Sequence, residues 1–135
     1  MDRFVKSFIL MSIVYLAIAT VLGIFMLGNP SLMPLKFVHS HLMLLGWVSM
    51  MIYGVGYHIL PKFAGRFLKS KTMGEVQFWL ANIGLVGMLA FYTLGTYNPS
   101  DLYRRLVIAS GLIEAMSISL FFYNMIATLY SKQAE

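Results

Sequence analysis

The sequence predicts an all-α integral membrane protein, a four-helix up-down bundle assembling into a symmetric homo-oligomer. Three observations carry that expectation. Four long apolar runs divide the chain, charge is scarce outside their connections, and two neighbouring histidines open the second run on opposite sides of their helix.

The chain has 135 residues, of which 59% are hydrophobic and 11% charged, with a mean hydropathy of +0.77. A soluble domain carries about a quarter of its residues as charges, so water is the wrong solvent for this composition. The apolar runs are Phe8–Leu27, Phe37–Leu60, Val76–Tyr97 and Leu106–Leu129, with 20, 24, 22 and 24 residues. A membrane-crossing helix needs roughly 20 apolar residues, and each run supplies them. A transmembrane barrel shows instead segments of about ten alternating residues, a pattern absent here. The expected organisation is one domain over 1–135, with helices about 5–27, 36–60, 75–97 and 104–130.

The first helix follows Arg3 and Lys6. Its apolar stretch exceeds the roughly 7–15 residues of a signal-peptide core and no small-x-small cleavage site follows, so a retained helix is expected. Gly28-Asn29-Pro30 ends it, Pro34 precedes the second helix, Pro61 closes that one, and Asn98-Pro99-Ser100-Asp101 turns the third into the fourth. Short connections imply antiparallel neighbours. Gly54 and Gly56, Gly84 and Gly87, and Ser110 and Gly111 provide small residues where helices, or a flat ligand, can approach closely.

The formal net charge is +5, and its distribution speaks for orientation rather than for nucleic acid. Arg3, Lys6, Lys62, Arg66, Lys69, Lys71 and Lys132 fall on one side of the membrane, against Lys36, Arg104 and Arg105 on the other. The positive-inside rule places both termini in the cytoplasm of a cell bounded by this membrane, a multi-pass protein of the inner (cytoplasmic) membrane with lipid as a partner. The chain has no cysteine, which excludes disulfides, thiolate ligands and covalent haem attachment.

The three histidines are His39, His41 and His58. At 3.6 residues per turn, His39 and His41 are about 200° apart around a helix axis, so they cannot hold one metal ion together. His58, 17 residues further on, is about 25 Å from His41 along an α-helix. One chain thus offers two imidazoles to opposite flanks and no second ligand for either. They can be interfacial side chains bonded to water or backbone, or each can wait for a partner on another chain. His58, followed by Ile-Leu-Pro-Lys, reads as a boundary residue.

The stretch His39–Gly65, with His39, His41, Gly54, His58, Pro61, Phe63 and Gly65, resembles the tenth transmembrane helix of subunit I in the haem-copper oxidase and nitric oxide reductase superfamily. The segment around Phe78-Trp79 looks loosely like the eleventh helix, so the chain is similar to the last four-helix arc, helices nine to twelve. The resemblance implies that His39 and His41 are axial ligands to the iron of two different haems. It also implies that Arg104 and Arg105, in the loop after the third helix, bind haem propionates; without it they read as snorkelling boundary anchors. The other two arcs and the copper-ligating histidines of that family are missing, so oxidase activity is not expected of this chain on its own, and whether it is an enzyme stays open.

The expected cofactor is non-covalent haem b, held between protomers with His39 of one copy facing His41 of the next. A closed ring uses every ligand, and a trimer, standing for three arcs, is preferred over a dimer. The expected function is that of a membrane b-type cytochrome in electron transfer, with a redox partner protein or quinol. A nitric oxide- or oxygen-responsive haem protein, a cofactor-free accessory subunit of a larger oxidase, and a metal transporter are the alternatives. Glu114, placed in the outer half of the fourth helix, is either a proton site or a neutral acid bonded to Asn82, a tyrosine or backbone. Trp47, Met50, Tyr53 and Tyr57 are assigned to helix packing or a porphyrin face, and Tyr92, Tyr97, Tyr103 and Tyr130 to the interfacial belt.

Overall fold

The computed structural model describes residues 1–130; Lys132, counted above among the basic residues, lies outside them. The described chain is all-helical, with four segments long and apolar enough to cross a membrane. It is a multi-pass membrane protein.

Helix α1 (Arg3–Gly28) is followed by a short 3-10 turn at Pro30–Leu35. The second crossing is one continuous rod in three parts: α2 (Lys36–His41), a π-helical stretch (Leu42–Ser49) and α3 (Met50–Phe63). Helices α4 (Lys71–Tyr97) and α5 (Asp101–Tyr130) complete the set.

Several ends have local causes. Ser70 caps α4, its hydroxyl accepting from the Met73 N–H at 3.1 Å, as an N-cap should. Ser100 does the same for α5 through the Leu102 N–H at 3.2 Å, and Asp101 follows in the first turn, where a carboxylate complements the helix dipole. Helix α5 therefore begins ahead of the arginine pair. Pro61 does not close the second crossing; it sits inside α3, which runs on to Phe63. Its carbonyl accepts from Arg66 N–H at 2.8 Å, and the chain turns at Gly65 with φ +62°, a left-handed conformation that glycine adopts without strain.

Helices pack where side chains are smallest, as expected in a solvent as apolar as leucine. A Cβ on Gly84 would lie 2.7 Å from the Glu114 backbone nitrogen, so α4 and α5 touch almost backbone to backbone. Gly54 meets Ile9 and Val5 of α1, and Gly46, inside the π-helical stretch, receives the Tyr15 ring. Gly74 receives the ring of Phe4. These glycines serve helix contacts. Aromatic edge-to-face contacts join Phe8 to Tyr53 and Phe78, while Tyr53 and Tyr57 close on Phe121 of α5. Met50, Tyr53 and Tyr57 are buried in this interior and pack the bundle. The outside is apolar: Ile24, Phe25, Trp79, Leu112 and Phe122 are all exposed, an outer surface suited to lipid.

The ends of the bundle differ. At one, Lys71 Nζ bonds Asp2 Oδ1 at 3.0 Å and the Lys69 N–H donates to Thr128 Oγ1 at 3.0 Å, so the start of α1, the α3–α4 loop and the end of α5 meet. At the other end, α2 lies between α1 and α4, and both histidines of the pair are there.

Candidate functional site

His39 and His41 lie within the six α-helical residues of α2, so the opposed directions expected of an i, i+2 pair apply locally. His39 turns to α1. Its Nδ1 is 3.1 Å from the Ala19 carbonyl oxygen, and its ring covers Gly23, where an added Cβ would be 2.9 Å from Cε1. His41 turns towards α4. Its Nδ1 is 2.8 Å from the Phe37 carbonyl oxygen. Its ring lies 3.9 Å from that of Phe37, which stacks 4.1 Å from Tyr92. Tyr92 thus closes a three-ring stack rather than standing alone in an interfacial belt.

The tautomer follows from the acceptor. A carbonyl oxygen cannot donate, so in each histidine Nδ1 carries the hydrogen and the neutral ring presents a lone pair at Nε2. No described protein group bonds either Nε2. A metal-ligating histidine characteristically gives its other N–H to a backbone carbonyl or carboxylate, which fixes the ring and raises the basicity of the free nitrogen. Both rings are half-buried. The donor set therefore fits axial ligation of an iron by one histidine per flank. His58 is different: Lys62 Nζ lies 3.0 Å from its Nε2, so that nitrogen is already occupied.

The π-helical stretch begins at the residue after His41. Such widened turns are rare and gather at functional sites. Because its hydrogen bonds span five residues, the ideal-helix separation of His41 and His58 does not apply to this rod.

The arginines fall within the expected helical span 104–130, and the helix starts three residues before it, at Asp101. Arg104 and Arg105 stand in the first turns of α5, not in a loop, because Ser100 and Asp101 start the helix. Arg104 Nη2 is 3.4 Å from Asp101 Oδ1 with both side chains largely exposed, and Arg105 is exposed too. Arg104 also lines a cleft of about 740 Å³ with Phe37, Tyr92, Tyr103 and Val107. Phe37 joins that cleft to His41. A second cleft, of about 530 Å³, lies between α1 and α4 and is lined by Tyr15, Val38, Leu42 and Leu89. Neither histidine lines either cleft, and among the described residues no three His, Cys, Asp or Glu side chains converge as metal ligands. Within one chain the two histidines do not converge on a common site.

Glu114 is the fourteenth of thirty residues in α5, at the inner edge of the helix's outer half. It is 3% exposed, and neither carboxyl oxygen has a hydrogen-bond partner in the described structure. The expected bond to Asn82 does not form. Asn82 is engaged elsewhere, accepting from the Tyr15 hydroxyl at 2.7 Å and donating to the Phe78 carbonyl at 2.7 Å. Two buried amides, Gln77 and Asn124, were not singled out in the sequence, although each interrupts an apolar run. Tyr57 donates to Gln77 Oε1 at 2.6 Å, and Asn124 binds Ser70 at both backbone groups.

The chain is 43% identical over 53 residues to the cbb3-type cytochrome c oxidase subunit CcoN1 of Stutzerimonas stutzeri, a match covering 38% of this chain and 11% of that subunit. The likeness is to a short part of an oxidase subunit. The chain spans about a tenth of that relative's length. No family model matches the chain, and no solved structure matches it. Four apolar crossings and similarity to an oxidase subunit fit a redox-related membrane protein.

Proposed function

We propose that this protein is a membrane b-type cytochrome, an oligomer in which non-covalent haem b is held between protomers by His39 of one copy and His41 of its neighbour. The observation that carries the reading is the pair of Nδ1–H bonds to the Ala19 and Phe37 carbonyls, which leave two Nε2 lone pairs on opposite flanks of one helix. When bound, the haem supplies one-electron redox chemistry.

The chain's own residues bind and orient. The Ala19 and Phe37 carbonyls hold each imidazole in the ligating tautomer. Phe37 and Tyr92 offer an aromatic wall beside His41, and Arg104, at the rim of the same cleft, supplies a cation for a propionate. The lipid-facing apolar surface keeps water away, which with the axial ligands sets the potential. A ring of three copies satisfies every ligand, and we prefer it to a dimer. The charge distribution favours the inner membrane with both termini cytoplasmic, and a quinol or redox protein as electron partner.

The test is purification after haem-replete expression, with a pyridine haemochrome assay and visible spectra before and after carbon monoxide. The expected result is haem b with a low-spin spectrum that carbon monoxide leaves unchanged. A fast, large shift with carbon monoxide would favour the gas-responsive reading, and protein without haem would refute both.

A further inference from the structure

A line of buried polar side chains runs through the interior of the bundle away from the histidines, and no part of the haem reading uses it. It starts at the loop before α4, where the Lys69 N–H donates to Thr128 Oγ1 and the Ser70 N–H to Asn124 Oδ1. The Asn124 side chain adjoins the Tyr57 hydroxyl. Tyr57 donates to Gln77 Oε1, and Ser117 Oγ donates to the Gln77 carbonyl at 3.2 Å. One turn further along α5 stands Glu114, within electrostatic reach of the Tyr53 and Tyr15 hydroxyls. Asn124 and Glu114 are ten residues apart, about 15 Å along the helix. Asn124, Thr128, Ser117 and Gln77 are 0% exposed.

This line is satisfied at its loop end and orphaned at its inner end. Among the described residues, the buried side-chain atoms left without a partner are Gln77 Nε2 and both oxygens of Glu114. An unpaired carboxylate in such surroundings is costly, and a neutral acid still needs an acceptor for its hydrogen. Among the described residues no cation faces Glu114: α1 offers it Tyr15, and α3 offers Tyr53. Beyond Glu114 towards the histidines, Ser110 is the one buried polar side chain on α5; Leu85, Met88, Leu89, Leu42 and Ala19 fill the rest. Towards the histidines there is also the Tyr15–Asn82 pair, closed on itself and on the Phe78 carbonyl, so the run of linked polar groups leads to the Lys69–Ser70 end.

We propose that Glu114 is a proton-exchange site loaded from the Lys69–Ser70 end, the proton carried by the Tyr57 hydroxyl and by internal water that the Asn124 and Gln77 amides orient, with one such water bridging Gln77 Nε2 and the carboxyl group. The step moves one proton and no electrons. The Glu114 carboxylate gains the proton, each hydroxyl or water in the line passes one hydrogen on as it takes another, and the aqueous phase at the loop end makes up the balance. A buried water with two to four polar partners is the usual way such orphan groups are satisfied.

Infrared spectroscopy of the full chain in lipid nanodiscs tests this without requiring haem. The carbonyl stretch of the protonated Glu114 carboxyl is assigned by its loss in Glu114→Gln, and its shift is followed after transfer to D2O. The expected result is exchange slowed by roughly tenfold or more in Tyr57→Phe and Gln77→Leu, the barrier of one lost hydrogen-bonded step. Tyr57→Phe keeps the ring against Phe8 and Phe121, so it carries the test where Gln77→Leu fails to fold. No band lost in Glu114→Gln, or equal exchange in Tyr57→Phe and the parent, overturns the proposal. Slowing in Ser110→Ala with none in Tyr57→Phe would put the access on the histidine end and overturn it as well.

Discussion

Gly23→Ala is a single-methyl test of whether the His39 ring is positioned for ligation. The added Cβ would sit 2.9 Å from His39 Cε1, at least 0.5 Å inside the 3.4 Å where ordinary contact begins, and 3.7 Å from Nε2. The ring cannot simply swing away, because Nδ1 is tied to the Ala19 carbonyl at 3.1 Å. Either that bond breaks, at about 0.5–1.5 kcal/mol, or α1 moves off α2. Loss of an outer partner of a metal ligand weakens binding by about 10–100-fold, so Gly23→Ala should retain less haem under dilution in detergent and broaden its low-spin signal. The assay is haem per chain against detergent dilution, alongside the visible spectrum. Gly28→Ala is the control, since nothing lies within 4 Å of that position. Equal haem retention and spectra in Gly23→Ala and the parent, with normal folding, would refute the reasoning.

Other substitutions separate the parts of the account. His41→Ala should lose haem or turn high-spin, whereas His58→Ala, whose Nε2 already faces Lys62, should leave the visible spectrum unchanged. Gly84→Ala forces a Cβ to 2.7 Å from a backbone nitrogen that cannot give way; overpacking of this kind costs about 1–3 kcal/mol, read as a lower unfolding midpoint in detergent. Gly111→Ala, whose nearest neighbour is Met88 Sδ at 3.9 Å, should be near neutral in the same melt. Arg104→Gln should lower the haem reduction potential, because removing a cation favours the oxidised state. The shift should stay within roughly 40 mV, the one-electron equivalent of about 1 kcal/mol for an exposed charge. Arg105→Gln, outside the cleft, should shift it less.

What the sequence made legible followed from local rules. Apolar run length alone gives four crossings, and ideal α-geometry sends His39 and His41 apart because both lie in α2 before the helix widens. The rest depended on tertiary contacts. The Ala19 carbonyl that fixes His39 is twenty residues away, and Phe37, one turn from His41 on the same helix, reaches Tyr92 only once α2 lies beside α4. The π-helical stretch has no clear sequence mark beyond Gly46, where Tyr15 packs against the backbone. The fourth helix was expected from 104, whereas Ser100 and Asp101 carry the helix-start chemistry and begin it at 101. Gln77 and Asn124 did leave a signal, as amides within apolar runs, and the buried line to Glu114 could have been sought from them.

The central claim is that each haem is shared between chains, and native mass spectrometry of the haem-replete protein in detergent addresses it most directly. The expected result is a homo-oligomer with one haem per chain, and haem-free monomers when the ring is broken apart by collision. Monomers that keep a low-spin haem to themselves, or an intact oligomer without haem, would contradict it.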